Sequence, residues 1–363
     1  MRIPSPDERY DCRFSSNESE SEMISVGVIG CGYWGPNLIR NFNSQPGADL
    51  VAIADLDADR LGHVGLLYPG AVKTTNHRDI IDNPDIEAVV VATPMGSHFK
   101  LGMEVLEAGK HLFLEKPMAT NSADCRTLIE TAKSRGLKLM VGHTFVYAPP
   151  VRMIKSLLDA GELGDIYYVN VSRVNLGIFQ KDANVIWDLA PHDVALLSYL
   201  FGAYPVAVSA MGHCYVQQDK GIEDVAFVTL EYPGGCLAHI HVSWLDPNKI
   251  RRSTFVGSKK MLVYDDVSAS EKIRVFDKGV DVQPHYEDFG EFQLLYRSGD
   301  VFLPHVDTVE PLRVQAAHFL DLIQEKEEPL SDGLHGLKVV EVLEAACRSL
   351  KEEGRRIELD YSI

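Results

Sequence analysis

Ser25-Val26-Gly27-Val28-Ile29 runs directly into Gly30-Cys31-Gly32-Tyr33-Trp34-Gly35, and no other feature restricts the fold of this chain as strongly. The apolar run reads as a strand, and glycines spaced G-x-G-x-x-G behind it read as a tight turn that opens a helix, here NLIRNF. Small residues let a backbone approach a pyrophosphate, and the N-terminus of the following helix offers it free N–H donors. A second apolar run, DLVAIAD, ends in Asp55, about twenty residues beyond the last glycine. An acid at that point accepts from both ribose hydroxyls. It also repels a 2′-phosphate, and Leu56 and Asp57 bring no compensating cation, so NAD is favoured over NADP. The turn residues Gly30, Gly32, Tyr33, Trp34 and Gly35, with Asp55, are therefore assigned to the cofactor.

The runs EAVVVAT, KHLFLEK and LKLMVGH continue the pattern as unbroken apolar stretches, the mark of parallel strands buried on both faces. Helical segments lie between them, such as SHFKLGMEVLEAG, stopped by Gly109, and SADCRTLIETAKSRG, stopped by Gly136. This alternation predicts an α/β domain of the Rossmann type, a doubly wound parallel sheet, over 23–145. The character then changes. An amphipathic helix from Pro150 to Ala160 leads into long β-like runs separated in places by turns such as Pro233-Gly234-Gly235, and two helical segments close the chain. An α+β domain with a large, mostly antiparallel open sheet is expected over 146–363. Residues 1–22, polar and acidic, read as a tail with no part in the fold.

Composition excludes several classes of function. A formal net charge of −17 repels nucleic acid and anionic membrane. The six cysteines are scattered, with no C-x-x-C pair and no zinc spacing, so no metal is expected and a reducing, cytoplasmic location is. No apolar run approaches the length of a membrane span, and the N-terminus lacks the apolar core of a signal peptide.

Taken together, GVIGCGYWG, AVVVATPMGSH, AGKHLFLEKPMA and WDLAPHD resemble the glucose–fructose oxidoreductase / inositol dehydrogenase / rhizopine-catabolism (Gfo/Idh/MocA) family. The resemblance covers nearly everything after the tail, and E-K-P is its most specific mark. GYWG and WDLAPHD look like members acting on sugars or nucleotide sugars, including 3-dehydrogenases and ketosugar reductases. The resemblance implies a C-terminal sheet whose exposed face packs in a homodimer or homotetramer.

Glu115-Lys116-Pro117 stands at the carboxyl end of an apolar strand, the edge at which open α/β sheets bind ligands. Pro117 confines Lys116 to extended geometry and allows a cis bond. By resemblance, Lys116 lies near the nicotinamide and the reacting hydroxyl, and Glu115 near the nicotinamide ribose. The resemblance likewise places the loop of Thr93, Pro94 and His98 along the cofactor.

In WDLAPHD, Asp188 and His192 are one helical turn apart, which suits a helix cap at Asp188, two metal ligands, or an acid/base pair. Pro191 has no N–H to be capped, and no third metal ligand has suitable spacing, His143 being remote. The acid/base reading fits best. A histidine with pKa ~6.5 is poised to take the hydroxyl proton of a secondary alcohol near neutrality. A lysine starting at about 10.4 must fall by about three units, roughly 4 kcal/mol, to do the same. His192 is accordingly read as proton acceptor, Asp188 as its orienting group, and Lys116 as the hydrogen-bond donor that stabilises the oxygen. The resemblance shares this relay between the lysine and the aspartate/histidine pair.

Tyr147, Arg173, Asn175, Asn184, Trp187, Trp244 and Arg252 form a candidate substrate set able to hold a hydroxylated ring or a phosphate. The stretch GHTFVYAPP lacks the arginine that many members carry there. The expected activity is NAD-dependent hydride transfer on a sugar, a nucleotide sugar foremost, with inositol or another cyclic polyol as alternative. A catalytically silent dinucleotide-binding regulator and an enzyme that recycles a tightly held cofactor are the rival readings.

Overall fold

The structure, a computed structural model, describes residues 23–282 and 294–361; the tail expected at 1–22 lies outside them. Six strands, β1 (Ile24–Ile29), β2 (Ala48–Ala54), β3 (Val72–Thr74), β4 (Ala88–Val91), β5 (His111–Leu114) and β6 (Leu139–Val141), form a sheet in the order β3-β2-β1-β4-β5-β6. Every pairing in it is parallel. Helices α1 (Gly35–Asn43), α2 (Ala58–Leu67), α3 (Arg78–Ile81), α4 (His98–Glu107) and α5 (Ser122–Ser134) make the crossovers. The strand order reverses between β1 and β4, so their carboxyl ends frame the crevice where such sheets bind ligands.

After α6 (Pro149–Asp159) come β7 (Ile166–Val174), α7 (Val185–Phe201), β8 (Ala207–His213), β9 (Val225–Glu231), β10 (Leu237–Ser243), β11 (Ile250–Gly257), β12 (Met261–Asp265), β13 (Ile273–Val282) and β14 (Leu294–Phe302). The chain closes with α8 (Pro311–Ile323), α9 (Gly333–Lys351) and β15 (Ile357–Glu358). The nine strands order as β14-β13-β12-β11-β7-β10-β9-β8-β15, antiparallel except where β10 pairs with β7. Alternation along these strands separates a buried face, packed with α6, α7 and α9, from an outer face. One register row shows the division. Met211, Phe227, His241, Ser172 and Arg252 are successive partners across five strands and point outward. Their neighbours Gly212, Ala226, Val242, Arg173 and Arg251 form the adjacent row, which points inward.

The two sheets are not served by separate stretches of chain. α8 packs on α1, and its Leu312, Ala316 and Phe319 complete the core under β1, where Phe42, Phe113 and Phe319 meet edge to face. α9 touches both α5 and α7 and so sets the C-terminal sheet against the Rossmann edge. That contact positions the site, because α7 is the helix that carries WDLAPHD.

Candidate active site

The three glycines of the first turn are held by different things. Gly30 has φ +108°, and a Cβ there would lie 2.5 Å from the Ala92 carbonyl oxygen. A Cβ on Gly35 would collide with the Gly30 carbonyl. A Cβ on Gly32 would meet nothing within 4 Å. The first and third are thus required by the chain's own packing, while the second leaves an open approach to the backbone beside the start of α1. The first turn of α1 carries no acidic residue and no side-chain cap. Pro36 has no N–H, and Asn37 and Leu38 donate to the Trp34 carbonyl, which leaves the Gly35 N–H and the glycine turn before it as the backbone donors a ligand can reach. Asp55 stands at the mouth of this turn, accepting from the Cys31 and Asp57 backbone N–H groups. Tyr33 and Trp34 stack on one another and are exposed beside it. These residues fit a dinucleotide: a bare backbone for the pyrophosphate and a fixed carboxylate for the ribose.

The packing makes a direct prediction. Gly32→Val weakens NADH binding by about tenfold or more while the melting temperature holds, whereas Gly35→Ala destabilises by ~1–3 kcal/mol through overpacking. Nucleotide titration and thermal unfolding, run on both variants, check the contrast.

Beyond β4, Thr93 Oγ1 pairs with Ser97 Oγ at 2.7 Å, and Pro94 opens the short turn before α4. His98 does not line this loop's open side. It is buried, with Nδ1 2.8 Å from the Pro117 carbonyl oxygen and Nε2 2.8 Å from the Thr93 carbonyl oxygen. The cofactor contact expected of His98 is therefore replaced by a brace that ties the Thr93 loop to the E-K-P loop. Burial, and secondarily the Lys116 charge, pull its pKa down against the two carbonyls.

Glu115 and Lys116 follow β5, and the Lys116–Pro117 peptide bond is cis. The Glu115 carboxylate is buried, and burial raises its pKa to about 7 against the pull of Lys116. Its Oε1 has no partner within the chain, and a Cβ at Gly142 would lie 2.7 Å from it, so a larger residue there would displace the carboxylate. Lys116 Nζ donates to the Asp188 backbone carbonyl at 3.0 Å. Burial lowers the Lys116 pKa; Asp188 and Glu115 oppose this, and Arg173 and Arg251 add to it.

α7 is capped by Asn184, whose side chain accepts from Trp187 N, and it ends at left-handed Gly202. The cap role weighed for Asp188 thus belongs to Asn184. Asp188 and His192 do share one face, but the carboxylate is not bonded to the imidazole. Asp188 Oδ2 accepts from Trp244 Nε1 at 2.9 Å. His192 stands edge-on to Phe145, ring centroids 5.0 Å apart, with Nδ1 buried and without a partner in the chain. Burial, then Lys116, Arg173, His143 and Arg251, drive the His192 pKa well below the usual 6.5. Asp188 is therefore bonded to Lys116, through its carbonyl, and not to His192.

Four of the substrate candidates lie elsewhere. Tyr147 is buried in the Rossmann core with its hydroxyl 2.9 Å from Ser331 Oγ. Asn184, besides capping, donates to Glu223, and Trp187 sits with it against Cys347 on α9. Arg252 is exposed on the outer face of the sheet. Strand side chains alternate, so it is the neighbour, Arg251, that faces the site. Arg173 does face it, clamped to Asp193 through two 2.7 Å bonds. Asn175, half-buried just past β7, lies beside Gly177 and Trp244. Phe145 was not anticipated: Arg173 lies over its ring at 4.6 Å and Arg251 at 5.9 Å. Its place in GHTFVYAPP, directly after β6, was the available signal. Among the described residues no group of three or more His, Cys, Asp or Glu side chains is arranged to hold a metal, and the described cysteines are free.

A Rossmann crevice that carries a lysine at its edge and faces an aspartate and a histidine from a second domain defines a dinucleotide-binding oxidoreductase. Residues 24–143 match the family model described as oxidoreductase family, NAD-binding Rossmann fold, and residues 151–263 match the Gfo/Idh/MocA C-terminal domain. The chain belongs to the Gfo/Idh/MocA family of oxidoreductases. Inositol 2-dehydrogenase of Gluconacetobacter diazotrophicus is 33% identical over 182 residues, covering 49% of this chain and 54% of that protein. The chain thus spans about half the length of that relative. Myo-inositol 2-dehydrogenase of Thermotoga maritima is 25% identical over 356 residues, 94% of this chain and 100% of that protein. The solved UDP-N-acetylglucosamine 3-dehydrogenase of Acidithiobacillus ferrooxidans shares the fold, with TM-score 0.74 at 22% identity over 91% of this chain and 98% of that one.

Proposed function

We propose that the protein oxidises a secondary alcohol of a sugar, foremost a nucleotide sugar, with NAD, or runs the reverse reduction. The observation that carries this reading is the seat of Lys116. Its ammonium is held on the Asp188 carbonyl, beside His192, at the sheet edge just beyond the open Gly32 turn. Bound NAD supplies the hydride acceptor. The chain's own task is the proton. Lys116 takes the hydroxyl proton, because burial shifts it toward the neutral amine at a pH where an ordinary lysine is charged. His192 stays neutral through the same range and hydrogen-bonds the reacting oxygen, which reverses the division of labour expected from unperturbed pKa values. Asp188, fixed by Trp244, holds the lysine in place.

A preference for NAD over NADP is supported by the Asp55 carboxylate, fixed beside the glycine turn, which would repel a 2′-phosphate. Asp55→Ala removes charge-assisted bonds and raises KM for NAD by about 10–100-fold, while the KM for NADP falls or holds; the ratio of the two is the measurement. The cyclic-polyol reading is supported by the inositol dehydrogenases that align with this chain, those of Gluconacetobacter diazotrophicus and Thermotoga maritima among them. A panel of UDP-, dTDP- and GDP-sugars, free sugars and inositols, each with NAD and NADP and followed at the reduced nicotinamide absorbance, separates the readings. No hydride transfer in either direction with any member would count for the silent regulator. The exposed Tyr168, Met211, Phe227 and Leu237 on the outer sheet face support a homo-oligomer.

A further inference from the structure

The chemistry above uses Arg251 only as one of the charges that lower the Lys116 and His192 pKa values, yet its placement is costly. Arg251 on β11 and Arg173 on β7 are direct cross-strand partners, and like charges so opposed destabilise a sheet unless each is neutralised. Arg173 is neutralised by the bidentate Asp193 clamp. Arg251 has a single 3.5 Å approach from Nη1 to Asp266 Oδ2. Asp266 is itself shared, accepting from the Tyr264 hydroxyl at 3.1 Å and lying 3.8 Å from Lys272 Nζ. The Arg251 side chain is 38% exposed on the inward face of the sheet. Its guanidinium lies 5.9 Å from the centroid of the Phe145 ring, the same ring that His192 meets at 5.0 Å. One aromatic side chain therefore separates a half-solvated cation from the reacting centre. That cation also disfavours the protonated forms of both Lys116 and His192. In a chain with net charge −17 there is no shortage of carboxylates to pair with it, and the site leaves it largely open.

We propose that Arg251 receives an anionic group, a carboxylate or a phosphate, carried by the sugar substrate, and so selects acidic sugars over neutral ones. The proposal rests on the oxidoreductase reading above and narrows its substrate class. A planar guanidinium forms paired bonds with either group, and the anion would complete the neutralisation that Asp266 only begins. Two sources share this chemistry: the carboxylate of a uronic acid, and the phosphate of a sugar phosphate or sugar nucleotide.

Calorimetric titration of the full chain saturated with NADH distinguishes them, using D-glucose, D-glucuronate, D-glucose 6-phosphate, UDP-glucose and UDP-glucuronate. A carboxylate source makes D-glucuronate and UDP-glucuronate bind about tenfold or more tightly than their neutral-ring counterparts. A phosphate source makes D-glucose 6-phosphate and UDP-glucose exceed D-glucose by the same factor, with nothing added by the carboxylate. Under either, R251Q brings the separated ligands to within about twofold, and D266N, which removes the competing carboxylate, tightens the anionic ligand. Should R251Q fail to fold, D266N alone decides. A panel with no such separation, including one in which no ligand binds, overturns the proposal. So does a separation that R251Q leaves intact or that D266N does not increase. NADH formation is scored apart: turnover of neutral and acidic sugars alike removes the anion site and leaves the oxidoreductase reading standing. Anion-selective binding without hydride transfer in either direction faults that reading instead.

Discussion

Lys116→Ala lowers kcat by about 10²–10⁴-fold, the range a positioned general base supplies, while NADH affinity stays within a few-fold of the parent. In the proposed reaction the amine acts on the hydroxyl proton, so the loss falls on kcat, and the residues proposed to hold the nucleotide, Gly32, Asp55 and the start of α1, are left intact. Lys116→Arg sharpens the test. An arginine keeps the positive charge that would steady an oxyanion, yet it is not deprotonated in a protein. If Lys116 acts only through its charge, Lys116→Arg retains appreciable turnover; if it takes the proton, Lys116→Arg is as poor as Lys116→Ala.

The pH profile carries the sign. Burial, with Arg173 and Arg251, lowers the Lys116 pKa, so the neutral amine becomes populated below the usual lysine range. Activity in the oxidative direction therefore rises with pH through that depressed value and levels off above it. His192, driven well below 6.5, contributes no limb near neutrality. His192→Ala accordingly reduces kcat through the lost hydrogen bond but leaves the position of the rising limb in place. A limb that disappeared in His192→Ala and survived in a residually active Lys116 variant would return the proton to the histidine.

How much of this was legible beforehand depended on whether a residue's neighbours in sequence are also its neighbours in space. β1, β2, β4, β5 and β6 are buried on both faces, so their apolar runs announce them, and each site loop follows such a run at a fixed remove. β3 escaped notice because it is a three-residue edge strand, VKT, with no apolar signature. The G-x-G-x-x-G turn and E-K-P are local motifs, the first read from its spacing between a strand and a helix, the second from its place after a strand and its resemblance to the family. The substrate face is built by register across distant strands, and there an error of one residue reverses direction: Arg252 points out and Arg251 in. Asn184 carried a legible signal, a cap residue directly before an apolar helix, which a search for polar substrate contacts passed over. Neither the Trp244 bond to Asp188 nor the depression of the His192 pKa has any sequence signature, since the first joins segments of the C-terminal domain distant in sequence and the second arises from packing across domains.

Asp193→Ala is the expected largest stability loss. Asp193 and Arg173 are both buried, 2% and 6% exposed, and joined by two short bonds. Removing the carboxylate leaves a guanidinium without its counter-charge in the interior, a defect worth ~3–5 kcal/mol. Most of that cost is the stranded charge rather than the lost attraction, so a double variant, Arg173→Met with Asp193→Leu, recovers much of it; chemical denaturation across the four-member cycle isolates the coupling. The pair also has a catalytic reach. Arg173 acts on Lys116 and His192, and Asp193 is what balances it. Asp193→Asn, which keeps the shape but frees the charge, disfavours the protonated lysine further and moves the rising limb of activity to lower pH. The double variant removes the cation altogether and moves the limb to higher pH. Opposite displacements from one ion pair are what electrostatic control of Lys116 requires, and a limb that stays fixed in both variants would place the titrating group elsewhere.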